Sequence, residues 1–444
     1  MAPVDVVVVG GGPAGAAAAI VLARAGRDVV LVDKATFPRD KCCGDGLTAA
    51  ALREYEWLGL RPESVPDWQV VDQAWVRGPT GRTVRFPLPE GRGQYSVCAP
   101  RAQLDAALLD VARAAGAKVH DGHALTDARL VEGGIELDVD GLGPLVAGYA
   151  VGADGMWSPL RKALGVAPPG YLGDWHAFRQ YFSGVGPAAA GLWAWFEPDL
   201  LPGYAWSFPL PGGRANVGFG IHRDSGIPTR DMKQLWPEIL ARPHILEVLG
   251  EGAEPEGVHK AWPIPARVDD TPLTAGGGRA LLVGDAACAT DPLTGEGIAQ
   301  ALLSGRWAAE AVLSAPRADG GRADGGGADG GRADGGGADG GGADGGGAGD
   351  GGGDDPAAVA ARYETAMRHG LFADHRMSLR LSRTIAHRRG INAALRLAGS
   401  SEWSRRHFGR WLFEDSPRAV VLTPRRWRRG TFSNPGAYRN EGQP

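Results

Sequence analysis

At 444 residues, 43% hydrophobic and 22% charged, the chain is long enough for two or three domains with a sizeable core. Lys+Arg 47 against Asp+Glu 51 leaves a net charge of −4, which disfavours a globally basic nucleic-acid binder. Its 70 glycines follow no three-residue period and its 4 cysteines make no disulfide framework, so collagen and disulfide-stapled scaffolds are excluded and a reducing cytosol is expected.

No basic stretch leads into an apolar core at the N-terminus, so no signal peptide is expected. Asp5–Val9 reads as a buried strand, Pro13–Ala25 as an alanine-rich helix capped by Gly26, and Asp28–Val32 as the next strand. The apolar run Ala14 to Ala23 falls short of the ~20 residues that a membrane span needs. Arg101–Ala115 is a second amphipathic helix, with Leu104, Leu108 and Leu109 on one face. Between Ala177 and Ile221 the pattern changes to tryptophan- and phenylalanine-rich alternation, which predicts an antiparallel sheet. Gly276–Leu313 returns to strand, turn and helix, so the α/β domain is built from non-contiguous pieces. Ala318–Asp355 then repeats Ala-Asp-Gly-Gly followed by Gly or Arg. A calcium-binding repeat needs a nine-residue period with an apolar residue to stack, so this segment reads as a flexible acidic linker. Residues 357–444 carry 17 arginines, no lysine and six acids, a net +11. Arg425, Arg426, Arg428 and Arg429 cluster around Trp427, and Leu379, Leu381, Ile385, Ile391 and Leu395 can form apolar helix faces.

The sharpest motif follows the first strand. Gly10, Gly12 and Gly15 fit G-x-G-x-x-G and open a helix. The first permits a tight turn, the second lets a pyrophosphate approach the backbone, and the third brings helix to strand. Asp33, at the end of the second strand, can accept from ribose hydroxyls. Strand, helix and acid in register predict dinucleotide binding. Two later segments bear on which dinucleotide: Gly152-Ala153-Asp154-Gly155 with Ser158 and Arg161, and Gly284-Asp285 with Pro292 and Gly295-Glu296-Gly297. Asp285 can hold a ribityl hydroxyl, and the helix start after Gly297 can face an electron-rich flavin edge. No histidine pair has metal-ligand spacing and no G-x-S-x-G elbow occurs, so neither a metal nor hydrolase chemistry is assigned.

These three motifs in this order resemble the FAD-binding fold of the aromatic-hydroxylase superfamily. Within it, Ala35–Thr48 (ATFPRDKCCGDGLT) is similar to the cysteine-glycine-aspartate-glycine stretch of the geranylgeranyl reductase family. Tyr204, Trp206, Phe208 and Pro209 resemble that family's tyrosine-x-tryptophan-x-phenylalanine-proline strand. The chain departs from the pattern at Cys42, where the family usually has proline, and at Leu201, where a proline usually precedes the tyrosine. The resemblance, over about residues 4–313, implies an α/β fold: a discontinuous, Rossmann-like FAD-binding domain (1–70, 95–165 and 276–315) and a smaller antiparallel-sheet substrate domain (71–94 and 166–275); the linker (316–355) and the helical basic tail (356–444) have no counterpart in the family pattern and are read from composition. It implies an enzyme that saturates carbon–carbon double bonds of polyprenyl groups, geranylgeranyl or menaquinone-type, by hydride transfer from reduced FAD. Gly44 and Arg101 then join Gly10, Gly12, Gly15, Asp33, Asp154, Gly284, Asp285, Pro292, Gly295 and Gly297 as cofactor residues. Tyr204, Trp206 and Phe208 become substrate residues, and Cys43 and Asp45 candidates for proton donation or relay.

The rival within the superfamily is an oxygen-using monooxygenase or halogenase; the rival from another class is a flavin-carrying binding protein without turnover. The expected partners are a prenylated small molecule or lipid and an electron donor, NADPH or ferredoxin. Nucleic acid is not among them. The expected location is the cytoplasm, with the basic tail able to touch the inner face of a membrane.

Overall fold

The computed structural model describes residues 3–316, 355–427 and 433–439. The body of the expected linker lies outside them.

Five consecutive strands form the parallel centre of an eight-stranded sheet, in the order Ala280–Leu282, Gly143–Gly152, Val4–Val9, Val29–Asp33 and Lys118–Asp121. Strands covered on both faces need unbroken apolar runs, and Val6, Val7 and Val8 are fully buried. The first helix, Pro13–Arg24, begins with proline at its first position and Gly12 as its N-cap. It packs along helix Ile298–Val312, where a Cβ on Gly305 would lie 2.0 Å from the Ala14 carbonyl oxygen. Only glycine permits that approach, and it locks the start of the first helix over the sheet.

A seven-stranded sheet carries the aromatic segments, in the order Glu254–Ile264, Trp175–Ser183, Arg214–His222, Tyr204–Leu210, Leu192–Trp195, Gln73–Arg77 and Thr83–Pro87. The alternation between Ala177 and Ile221 predicts antiparallel pairing. Leu192–Trp195 nevertheless lies parallel to Gln73–Arg77, a crossover that local periodicity does not encode. A small third sheet joins Gly46–Thr48, Ser96–Cys98 and Gln69–Val70.

The tail is helical and docked. Helix Pro356–Met367 buries Val359, Tyr363 and Met367 in the main core, and the Tyr363 hydroxyl donates to the Leu282 carbonyl at 2.5 Å. Helices Ala373–Ile385 and Arg388–Ala398 press Ile385, Ile391 and Leu395 against Val76, Val84 and Phe86 of the aromatic sheet. Helix Glu402–Leu412 follows, and the Phe413 carbonyl accepts from the Ala49 amide at 2.9 Å.

Candidate active site

Three glycine motifs converge at the carboxyl ends of the central strands. A Cβ on Gly10, whose φ is +108°, would meet the Ala153 carbonyl oxygen at 2.2 Å, and one on Gly15 the Gly10 carbonyl oxygen at 1.8 Å. Both are glycine because protein lies against them. Gly12 differs: its nearest neighbour would be Arg39 Nη2 at 3.6 Å, and it lines a cavity. A glycine that no backbone crowds, on the cavity wall at a helix N-terminus, is what an approaching pyrophosphate requires. The chain therefore fits a dinucleotide cofactor. Asp33 lines the same cavity, its carboxylate oriented by the Gly11 amide (2.6 Å) and the Ala35 amide (2.8 Å). Asp285 also lines it, its carboxylate 3.9 Å from Lys41 Nζ, accepting from the Thr290 hydroxyl at 3.5 Å and 30% exposed, so it is accessible to a ligand hydroxyl. Asp154 lines it too and caps the short helix Pro159–Ala163 by accepting from the Leu160 amide at 2.9 Å. Gly284, Gly295 and Gly297 are lining residues, whereas Gly15 and Pro292 shape the turns behind the wall. Arg101 reaches the cavity, with its guanidinium held bidentate by Asp105 at 2.7 Å.

The Cys43–Gly46 turn is explained by the strand above it. Phe208 lies so close that a Cβ on either Gly44 or Gly46 would be 3.0 Å from its ring. Between those glycines Asp45 adopts φ +64°, a strained conformation for a residue with a side chain. Its buried carboxylate turns away from the cavity to accept from the Tyr181 hydroxyl (2.6 Å), Asn216 Nδ2 (2.8 Å) and the Arg101 amide (3.3 Å). Burial raises its pKa to about 6, against the hydrogen bonds from Tyr181 and Asn216 that lower it. Asn216 also donates to the Cys43 carbonyl at 2.8 Å and accepts from the Trp206 indole at 3.2 Å. Cys43, Trp206, Phe208 and Tyr204 all line the cavity. Burial pushes the Cys43 thiol up and Cys42 to about 12, so both stay protonated.

The cavity encloses about 860 Å³ and continues beyond the cofactor residues into an apolar lobe. One wall of the lobe is Val76, Leu192, Ala194 and Phe196 of the aromatic sheet; the other is Ile385, Ile391, Leu395, Phe408, Trp411 and Leu412 of the tail. The sequence marks Ile385, Ile391 and Leu395 as apolar faces, but their shared periodicity does not say that they face a cavity. Phe408, Trp411 and Leu412 carried no such signal.

Where tail meets body, three carboxylates surround one guanidinium. Arg418, itself buried, pairs with Asp291 at 3.1 Å and Glu414 at 3.0 Å. Glu296 Oε1 accepts from the Ile298 and Ala299 amides, both at 3.2 Å, so the helix start after Gly297 is capped by its own side chain rather than left with free amides. Burial and the neighbouring Glu414 charge push Glu296 well up; burial raises Glu414 despite Arg418, while Asp291 is lowered by Arg418 against its burial. Arg426 of the arginine cluster is bound bidentate to Asp374 at 2.7 and 3.0 Å, and Arg428 and Arg429 lie outside the described residues.

A parallel sheet with this glycine loop, joined through one cavity to an aromatic sheet, defines a dinucleotide-dependent oxidoreductase. The chain belongs to the FAD binding domain family, whose model matches residues 3–304, and its cofactor is FAD. It is similar to menaquinone reductase of Mycolicibacterium smegmatis, 34% identical over 345 residues that cover 71% of this chain and 78% of that one. It is similar also to digeranylgeranylglycerophospholipid reductase 1 of Methanopyrus kandleri, 34% identical over 331 residues, 71% of this chain and 82% of that one. Among solved structures, a geranylgeranyl bacteriochlorophyll reductase-like protein of Thermoplasma acidophilum shares the fold with TM-score 0.72 at 19% identity, covering 95% of this chain and 99% of that one. The protein is an FAD-dependent oxidoreductase of the geranylgeranyl reductase type.

Proposed function

We propose that this enzyme saturates carbon–carbon double bonds of a polyprenyl substrate, of the geranylgeranyl or menaquinone side-chain class, with reducing equivalents from NADPH or ferredoxin. The observation that carries the reading is the continuity of one cavity from the Gly12 loop to a lobe walled by aliphatic and aromatic side chains. Held by the Gly12 loop, Asp33 and Asp285, FAD would when reduced supply the hydride for one alkene carbon.

The chain contributes three things. The lobe holds an isoprenoid chain by burying its methyl and methylene groups, at about 0.8 kcal/mol per CH₂. Tyr204, Trp206 and Phe208 fix the alkene at the cavity's narrow, cofactor-facing part; the Tyr204 hydroxyl donates to the Thr294 carbonyl, which pins that ring. Cys43, protonated and on the wall, gives its proton to the second alkene carbon and is reprotonated from solvent after turnover. Asp45 acts as a positioning residue: through Asn216 it holds the Cys43 carbonyl and the Trp206 indole in one hydrogen-bonded array.

Mass spectrometry of products after incubation with menaquinone and with geranylgeranyl diphosphate tests the proposal. Products heavier by multiples of two hydrogens are expected from one or both. Oxygenated or halogenated products would overturn it.

A further inference from the structure

The helices that wall the apolar lobe also have outer faces, and one corner of these is unusual. Leu397 is 75% exposed and Trp403 69% exposed, on either side of the turn between helices Arg388–Ala398 and Glu402–Leu412. Trp403 stacks on His407 with ring centroids 4.1 Å apart, which holds the indole in place at the surface. Next to this turn a separate cleft of about 590 Å³ has among its lining residues Arg82, Arg85, Arg405 and Arg406 together with Trp75, Glu90 and Glu402. Arg406 is tied to Glu402 one turn away, and Arg405 reaches the Gly399 carbonyl at 3.4 Å. Arg82 and Arg85, exposed on strand Thr83–Pro87 and the turn before it, form no ion pair among the described residues.

We propose that this corner is the face by which the protein docks on an anionic lipid bilayer, with lipid phosphates seated among Arg82, Arg85 and Arg405 and with Leu397 and Trp403 entering the interfacial layer. The proposal rests on the prenyl-lipid reading above. Charge complementarity selects the occupant: Arg82, Arg85, Arg405 and Arg406 outnumber Glu90 and Glu402 in the cleft lining, so the local charge is positive on a chain that is −4 overall. Large apolar side chains beside unpaired arginines match the composition of an interfacial helix, whereas a soluble anion would need no exposed leucine and tryptophan. The inner faces of the same two helices present Ile391, Leu395, Phe408 and Leu412 to the lobe. A helix is about 10–12 Å across with its side chains, so a prenyl chain leaving the bilayer here has one helix layer to pass. Arg426, by contrast, is bound to Asp374 and is not among these arginines.

Co-sedimentation of the full-length holoprotein with vesicles of phosphatidylglycerol and phosphatidylcholine, against vesicles of phosphatidylcholine alone, tests the face. Binding is expected only with the anionic vesicles. It should fall at least tenfold in Arg82→Gln/Arg85→Gln/Arg405→Gln, and separately in Leu397→Ser/Trp403→Ser, but not in Arg425→Gln. Inorganic phosphate at matched ionic strength should not displace the vesicles. Equal retention by both vesicles, no retention by either, full binding by both multiple variants, or displacement by phosphate would overturn the proposal, the last by making the cleft a site for soluble anions. Reduction of a detergent-dispersed prenyl substrate is measured in parallel, so the two readings fail separately. Vesicle binding without turnover leaves the face and removes the prenyl reading; turnover without vesicle binding does the reverse.

Discussion

The three fingerprint glycines are chemically identical but answer to different partners, and this makes Gly12 the informative one. Gly10 and Gly15 abut backbone within the protein, so any substitution there disrupts the fold, whereas a Cβ at Gly12 meets only the end of the Arg39 side chain at 3.6 Å. Gly12→Val is therefore expected to fold and yet purify colourless, checked by flavin absorbance per mole of protein beside an unchanged circular dichroism spectrum. A variant with full flavin content would place the pyrophosphate elsewhere. Cys43 can be judged by kinetics. General acid catalysis contributes about 10²–10⁴-fold, so Cys43→Ala should lower kcat by at least tenfold with little change in KM, and Cys43→Ser should recover part of the loss. Equal rates for Ala and Ser at the wild-type level would remove the thiol from the proposed mechanism. Glu414 bears on stability. A carboxyl whose folded pKa lies above its unfolded value stabilises most while protonated in both states, and that contribution is lost as pH rises through the folded pKa. Glu414→Gln keeps an acceptor for Arg418 without the charge, so its melting temperature should gain on wild type as pH rises above the ordinary carboxyl range. A gain that is constant with pH, or that shrinks, would contradict the direction assigned to Glu414.

Among elements, those whose cause is local were legible in advance. The predicted Asp28–Val32 strand is found at Val29–Asp33, and the predicted Arg101–Ala115 helix at Arg101–Ala114. Both follow from apolar period and glycine stops that a short window contains. The parallel pairing of Leu192–Trp195 with Gln73–Arg77 was not legible, because it joins segments more than a hundred residues apart and leaves no trace in either. The cavity's tail wall escaped for a related reason. Ile385, Ile391 and Leu395 have the same spacing whether they cover a protein surface or line a lobe, and only the tertiary arrangement separates the two. Asp45 was picked out as a chemical group, yet its left-handed backbone and three donors make it a holder of neighbours. The tail helices also offer a direct probe of the lobe. Ile391→Trp would fill space opposite Val76 and Phe196, at an overpacking cost of about 1–3 kcal/mol. Flavin content should remain near wild type while KM for a long prenyl substrate rises several-fold. Unchanged kinetics at unchanged flavin content would mean that the substrate does not enter the lobe.

At the scale of the whole molecule, the tail completes a site that the first 316 residues leave open. Tyr363 and Met367 are fully buried in the main core, and Asp415, buried, binds both Arg53 and Arg410. Close approaches fix the dock: a Cβ on Gly370 would lie 2.0 Å from the Trp307 ring. Among the described residues no helix is long and apolar enough to cross a membrane. The proposed route, one cavity that brings a prenyl alkene to reduced FAD, is tested by anaerobic stopped-flow mixing of the photoreduced holoenzyme with geranylgeranyl diphosphate, whose only groups able to oxidise the flavin are its alkenes, followed at the oxidised flavin absorbance band. Reoxidation without oxygen is expected, with one double bond saturated per flavin oxidised; flavin that stays reduced in the presence of the alkene and reoxidises only when oxygen is admitted would overturn the proposed route.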